Sequence, residues 1–120
     1  MSIRSTSTIL KITRDGGSNV TYRIPWAKYG TLVYLVANTE QVIPVPNNFD
    51  SVLFSFDPGS TVLVAPEDAG ALAFPAPGSS LNTIAEINPF IRSCQDDTGI
   101  RLLSDTTALI KLNFFNIEKV

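Results

Sequence analysis

Groups that attack a substrate, take up a proton or hold a metal are scarce in this 120-residue chain. Histidine is absent, which removes the commonest general base and the commonest metal ligand together. Serine and threonine are plentiful, but a hydroxyl needs an adjacent base, and no GxSxG elbow occurs. A serine–lysine pairing could draw on Lys11, Lys28, Lys111 or Lys119. Lys11 and Lys111 lie in alternating segments, where a solvated cation is the plainer role. Loops of the GxxxxGK[ST] or GxGxxG type, which cradle phosphates, do not occur. The single Cys94 excludes an internal disulfide, a thiolate zinc cluster and a CxxC redox pair.

Carboxylates come as neighbours, Glu67-Asp68 and Asp96-Asp97. Adjacent residues on an extended chain point to opposite sides, and both pairs sit in turn-rich stretches. They read as solvated turn formers rather than the acid and nucleophile of a glycosidase. No acidic run has the spacing of a calcium loop. The expectation is a protein with no catalytic residue, no cofactor and no metal. The aromatic pair Trp26 and Tyr29, in Ile24-Pro-Trp-Ala-Lys-Tyr-Gly30, could stack on a sugar. The plainer role for the lone tryptophan is to plug one end of the core.

The elements that must position these residues follow a period of two. Leu10 and Ile12 alternate with polar residues, as do Val20, Tyr22 and Ile24, across an Asp15-Gly-Gly-Ser turn typical of a hairpin. Thr31–Ala37 is apolar on both parities, which predicts a strand covered on both faces or a sheet with an outside partner. Pro44 and Pro46 make residues 41–46 an edge strand or extended connector. Val52, Phe54 and Phe56 form one face of a strand that Asp57-Pro-Gly-Ser60 turns into Thr61–Ala65, a second expected hairpin. Residues 66–80 dissolve into Ala, Gly and Pro around Phe74, a loop long enough to be functional or ordered by a partner. Ile84, Ile87 and Ile91 have weak helical spacing, limited by Pro89 to a turn or two. Strands are expected at Ile100–Leu103 and Thr107–Phe115. In the last, Phe114 and Phe115 are consecutive, so one must face away from the core and be covered by an oligomer, a partner, or an arm or loop of the same chain.

These segments give about eight short strands and no core-length helix. The fold class is all-β, a single antiparallel β-sandwich or small jelly roll over 8–120, with a flexible arm at 1–7 and one long Pro/Ala-rich loop. Net charge is −2 and the nine basic residues are scattered, so no nucleic-acid partner is expected. No long apolar run or signal-like amino terminus occurs, so no membrane partner is expected and synthesis in the cytosol is.

Three blocks carry a likeness to known proteins. They are Phe49-Asp-Ser-Val-Leu-Phe-Ser-Phe56 with Asp57-Pro-Gly59 and Thr61-Val-Leu-Val64, then Ala85-Glu-Ile-Asn-Pro-Phe-Ile-Arg92, then Gly99-Ile-Arg-Leu-Leu-Ser104 with Ala108-Leu-Ile-Lys-Leu-Asn-Phe-Phe115. Over residues 49–115 this order resembles small virion structural proteins of tailed bacteriophages. The resemblance implies a non-enzymatic capsid cement (decoration) protein, made in the host cytoplasm and placed on the virion's capsid surface. Its implied partners are the major capsid (coat) protein and further copies of itself, as dimer or trimer. Contact candidates under that reading are Ile3, Trp26, Tyr29, Phe74 and Phe90, with Arg92 or Arg101 pairing to coat carboxylates. The other reading from these residues is a tail- or spike-associated module that binds host glycan, or attaches a fibre, through Trp26 and Tyr29.

Overall fold

A computed structural model describes residues 8–13 and 19–119. The expected arm at 1–7, Ile3 within it, and the Asp15–Ser18 turn lie outside the described residues. Among the described residues the regular structure is eleven strands and one 3-10 turn at Glu67–Ala69, with no α-helix.

Eight strands form the sandwich, four in each antiparallel sheet. One sheet contains β3 (Tyr29–Leu35), β10 (Ala108–Phe115), β5 (Ser51–Phe56) and β8 (Ile91–Ser93), in that order. The facing sheet contains β4 (Gln41–Pro44), β9 (Gly99–Ser104), β6 (Val62–Pro66) and β7 (Glu86–Ile87). The first of the eight pairs with the last, the second with the seventh, the third with the sixth and the fourth with the fifth. That nested winding is a jelly roll, and it decides between the two β architectures left open by the sequence.

The count of eight holds, but its membership differs from the sequence expectation. β1 (Thr8–Thr13) pairs with β2 (Asn19–Ile24), and β2 with β11 (Glu118–Lys119), in a third sheet outside the sandwich. Their places are taken by β7 and β8. The segment expected to form a helical turn or two is thus two short strands. Asn88 (φ 46°) and Pro89 interrupt any helix between them, and each piece finds a neighbouring sheet edge instead.

The Asp57–Ser60 turn forms as expected, with Gly59 at φ +80° and the Ser60 N–H donating to the Asp57 carbonyl at 3.1 Å. It does not close a hairpin. β5 and β6 belong to opposite sheets, so the turn carries the chain across the core. The expected edge strand at Pro44 is an edge strand.

The core lies between the two sheets and is built from alternate residues: Val33 and Leu35 on β3, Val52 and Phe54 on β5, Ile110, Leu112 and Phe114 on β10. Val62, Val64, Ile100 and Leu102 meet them from the other sheet. Each fully buried aliphatic or aromatic side chain here contributes about 1.5–3 kcal/mol relative to exposure. Four successive residues of β6, Val62–Ala65, are buried, so this strand is covered on both faces.

Candidate functional site

The outer faces of the two sheets are treated differently, and the difference locates the candidate surface. On the β4–β9–β6–β7 sheet, Leu63, Ala65 and Leu103 point outward yet are buried. The long loop after β6 covers this face, with Leu72 and Phe74 beside Leu103. Arg101 fastens it. Its Nε donates to the Glu67 carbonyl at 2.7 Å, its Nη1 meets Glu40 Oε1 at 2.8 Å, and Glu40 Oε2 accepts the Leu72 N–H at 2.7 Å. Arg101 is therefore engaged inside its own chain, and Phe74 is half-buried in that loop.

On the other sheet the outward side chains are Leu32 and Tyr34 of β3, Leu109, Lys111, Asn113 and Phe115 of β10, and Leu53 of β5. Phe114 faces the core, its ring centroid 6.0 Å from Tyr29 and 6.5 Å from Phe49. Phe115 does face away, as parity requires, yet it is 1% exposed. The segment leaving β2 lies over it: buried Ile24 and half-buried Pro25 share a groove with Leu53 and Phe115. The chain supplies its own cover here.

That cover stops short of β3. Leu32 is 61% exposed, Tyr34 63% and Leu109 39%, with Val36 exposed beside them. Tyr34 is the cross-strand partner of Leu109, and Leu32 of Lys111, so these side chains form one apolar patch. Trp26, on the groove at the other end of the same face, is 74% exposed. It plugs nothing, which overturns the expectation that it fills one end of the core. Its short segment passes over the sheet face, not into the sandwich.

The remaining contact candidates are dispersed. Tyr29 is half exposed at the Phe114 end of the core, beside Phe49 and Pro46. Phe90 is exposed in the β7–β8 connection, where its carbonyl accepts the Phe54 N–H at 2.9 Å. Arg92 is exposed and paired with Glu86, its Nε 2.9 and 3.0 Å from the two carboxylate oxygens. That hydrogen-bonded pairing holds the Glu86 carboxyl below its ordinary range and raises Arg92 further. Of the candidates among the described residues, only Trp26 lies on the face that carries the β3 patch.

A second concavity of about 140 Å³ opens between the sheets at the β7–β8 side, floored by Val52, Phe54, Val64 and Ile100 with Cys94 and Asp97 at its wall. Burial, with the Asp97 and Asp50 charges adding to it, pushes the Cys94 thiol up to about 11. The thiol is therefore protonated at neutral pH and no nucleophile. Burial raises the Asp97 carboxyl as well, with Asp68 and Asp96 adding repulsion. Ser51 donates its hydroxyl to Asp50 Oδ1 at 2.8 Å, but Ser51 is buried and Asp50 also accepts the Ile117 N–H. This pair ties β5 to the segment after β10. Among the described residues no group of three metal-ligating side chains converges. Comparison with family models, curated proteins and solved structures returns no match.

Sequence reasoning missed the Arg101–Glu40 fastening, and it allowed cover of the outward Phe by the same chain without placing it at Ile24 and Pro25. Both join residues far apart in the chain, and no local pattern announces them. Thr31–Ala37, expected to be covered on both faces or to meet an outside partner, is covered within the chain on one face only, with Leu32, Tyr34 and Val36 exposed on the other.

Proposed function

We propose that this protein is a non-enzymatic structural component of a tailed-phage virion, a cement protein that binds the coat-protein lattice at the capsid surface. The observation that carries the reading is the open apolar face formed by Leu32, Tyr34, Val36 and Leu109 on one sheet of the jelly roll. A patch of this kind on a small domain marks a surface that works by being covered. Each copy contributes a modest interface, and many copies stabilise a shell because they bind only its assembled form. The likeness of residues 49–115 to small virion proteins supports the same role. Quantitative mass spectrometry of purified virions, followed by heating of particles stripped of the protein, tests it. Capsid-scale copy number and earlier particle rupture are expected. Unchanged rupture temperature after stripping overturns the cement role.

A second reading rests on Trp26. Its exposed ring borders a groove that also holds Lys111 and Asn113, a combination suited to stacking on a sugar and bonding its hydroxyls. Under it the protein is a tail or spike module for host glycan. Tail-scale copy number and loss of cell binding by Trp26→Ala are its expected results, and undiminished binding by that variant removes it.

A further inference from the structure

A jelly roll has four sheet edges, and this one blunts three of them. β7 has two residues, β8 has three, and β4 ends at Pro44 with Pro46 just beyond. Short strands and prolines are the usual means of keeping an edge from pairing with another chain. The fourth edge is β3, seven residues long, with no proline and no charged residue between Tyr29 and Leu35. Among the described residues no strand pairs with its outer side.

Two hydrogen bonds fix which backbone groups that edge presents. Phe54 donates to the Phe90 carbonyl, so Phe54 turns away from β10 while Leu53 and Ser55 turn toward it. Their partners Asn113 and Lys111 therefore bond to β5, as does Leu109, whose N–H reaches Asp57 Oδ2 at 2.7 Å. The alternate residues of β10 bond to β3 at Tyr29, Thr31, Val33 and Leu35. Gly30, Leu32 and Tyr34 are left with N–H and C=O directed outward. The Gln41 side-chain amide agrees, donating to the Tyr34 carbonyl at 3.0 Å from the flanking strand.

We propose that β3 pairs antiparallel with β3 of a second copy of this chain about a two-fold axis through Leu32. Leu32 is the midpoint of the strand, so this register overlaps β3 with itself along its whole length. It is also an outward-bonding residue, so the axis falls on a hydrogen-bonded pair. Gly30 of each copy then lies opposite Tyr34 of the other, and about four to six backbone bonds form, the last two requiring each Tyr34 carbonyl to accept the Gly30 N–H beside or in place of the Gln41 amide. Tyr34 gains a specific neighbour. Gly30 carries no side chain, and the Lys111 stem crosses it so closely that a Cβ there would stand 2.7 Å from Lys111 Cε. An incoming ring meets an apolar stem and a cation on which it can stack. The two four-stranded sheets merge into one, and their Leu32–Tyr34 patches become continuous.

Sedimentation equilibrium of the isolated full chain over roughly 1–100 μM tests the pairing. The wild type should be a dimer. Leu32→Pro removes only the outward N–H at the axis, and Leu32→Lys places two cations there. Each should raise the dissociation constant at least about tenfold, with the β circular dichroism of the wild type retained. Leu32→Cys should form an intermolecular disulfide, because Cα atoms of a hydrogen-bonded pair lie about 5.5 Å apart. Val42→Cys, also exposed but on the other sheet, should not. Should the first two variants fail to fold, the cross-link decides. A wild-type monomer or trimer, a dimer indifferent to both substitutions, or cross-linking no faster than the Val42 control overturns the proposal. Virion copy number has no bearing on this outcome, so either proposal can fail alone.

Discussion

Replacing Arg101 with alanine should loosen the long loop from the sheet it covers, and the structure sets the size of the effect. The guanidinium makes an ion pair with Glu40 at 2.8 Å and a hydrogen bond to the Glu67 carbonyl at 2.7 Å, with both side chains about four-fifths buried. A charge-assisted bond at such a site is worth roughly 1.5–3 kcal/mol, and Glu40 would keep only the Leu72 N–H as a partner. Removing one member of a partly buried pair leaves the other under-solvated, so the loss should be about 2–3 kcal/mol. Loosening of Leu72 and Phe74 over Leu103 adds to it. Urea unfolding should show a lower midpoint with little change of slope, since the same surface is exposed in the end. Hydrogen exchange should localise the change, with the Leu72 amide losing protection while β10 amides keep theirs relative to global stability. Glu40→Gln should cost less than Arg101→Ala, because its single amide oxygen still accepts from one of the two donors, while its NH2 meets the other. A loss below about 0.5 kcal/mol in Arg101→Ala, or an unchanged Leu72 amide, refutes the idea that this residue fastens the loop.

Three further outcomes follow from the geometry. Asn88 holds φ 46° while its side chain accepts the Val62 N–H at 2.8 Å and donates to the Ser60 carbonyl at 2.9 Å. Asn88→Ala should therefore lose about 2 kcal/mol in chemical denaturation, and Asn88→Gly, which keeps the backbone freedom, about 1 kcal/mol. The Cys94 thiol, buried and pushed up to about 11, should resist alkylation at pH 8 until the chain is unfolded. Because the unfolded thiol ionises near 8.5 and the folded one near 11, the native state holds the proton longer, and stability should fall as pH rises through that window. Cys94→Ala should remove that part of the pH dependence measured by denaturation. Trp26→Ala should shift the thermal midpoint by no more than about 2 °C, since the ring is mostly in solvent, while weakening whatever contact the face makes.

Individual strands were legible because each carries its own alternation. Val52, Phe54 and Phe56 announce β5, and the run to Phe114 announces β10. Sheet membership was not, because it depends on partners rather than on pattern. Asp57-Pro-Gly-Ser60 has the residues of a tight turn whether the chain reverses within one sheet or crosses to the next, and only the winding of the whole chain chooses. The spacing of Ile84, Ile87 and Ile91 has the helical period, yet a segment broken at Asn88 and Pro89 cannot complete enough turns to repay nucleation. At the candidate surface, parity correctly placed one of Phe114 and Phe115 outside. It could not foresee that residues near Ile24, ninety positions earlier in the chain, would cover that ring while leaving Leu32 and Tyr34 open.

The nested winding has a consequence for how the chain is made. A ribosome releases β3 and β4 early, but their ladder partners β10 and β9 lie near the far end, so Leu35 emerges long before Ala108 exists to pair with it. Only β6 and β7 are consecutive strands of one sandwich sheet, and β7 has two residues. The sandwich thus has almost nothing it can complete while growing, and collapse awaits synthesis of the last strand. During that interval the apolar faces of β3 and β5 stand bare on every nascent copy. A cell translating this message heavily would have those faces held apart by chaperones, and their demand would scale with the rate of initiation, not with the stability of the finished fold.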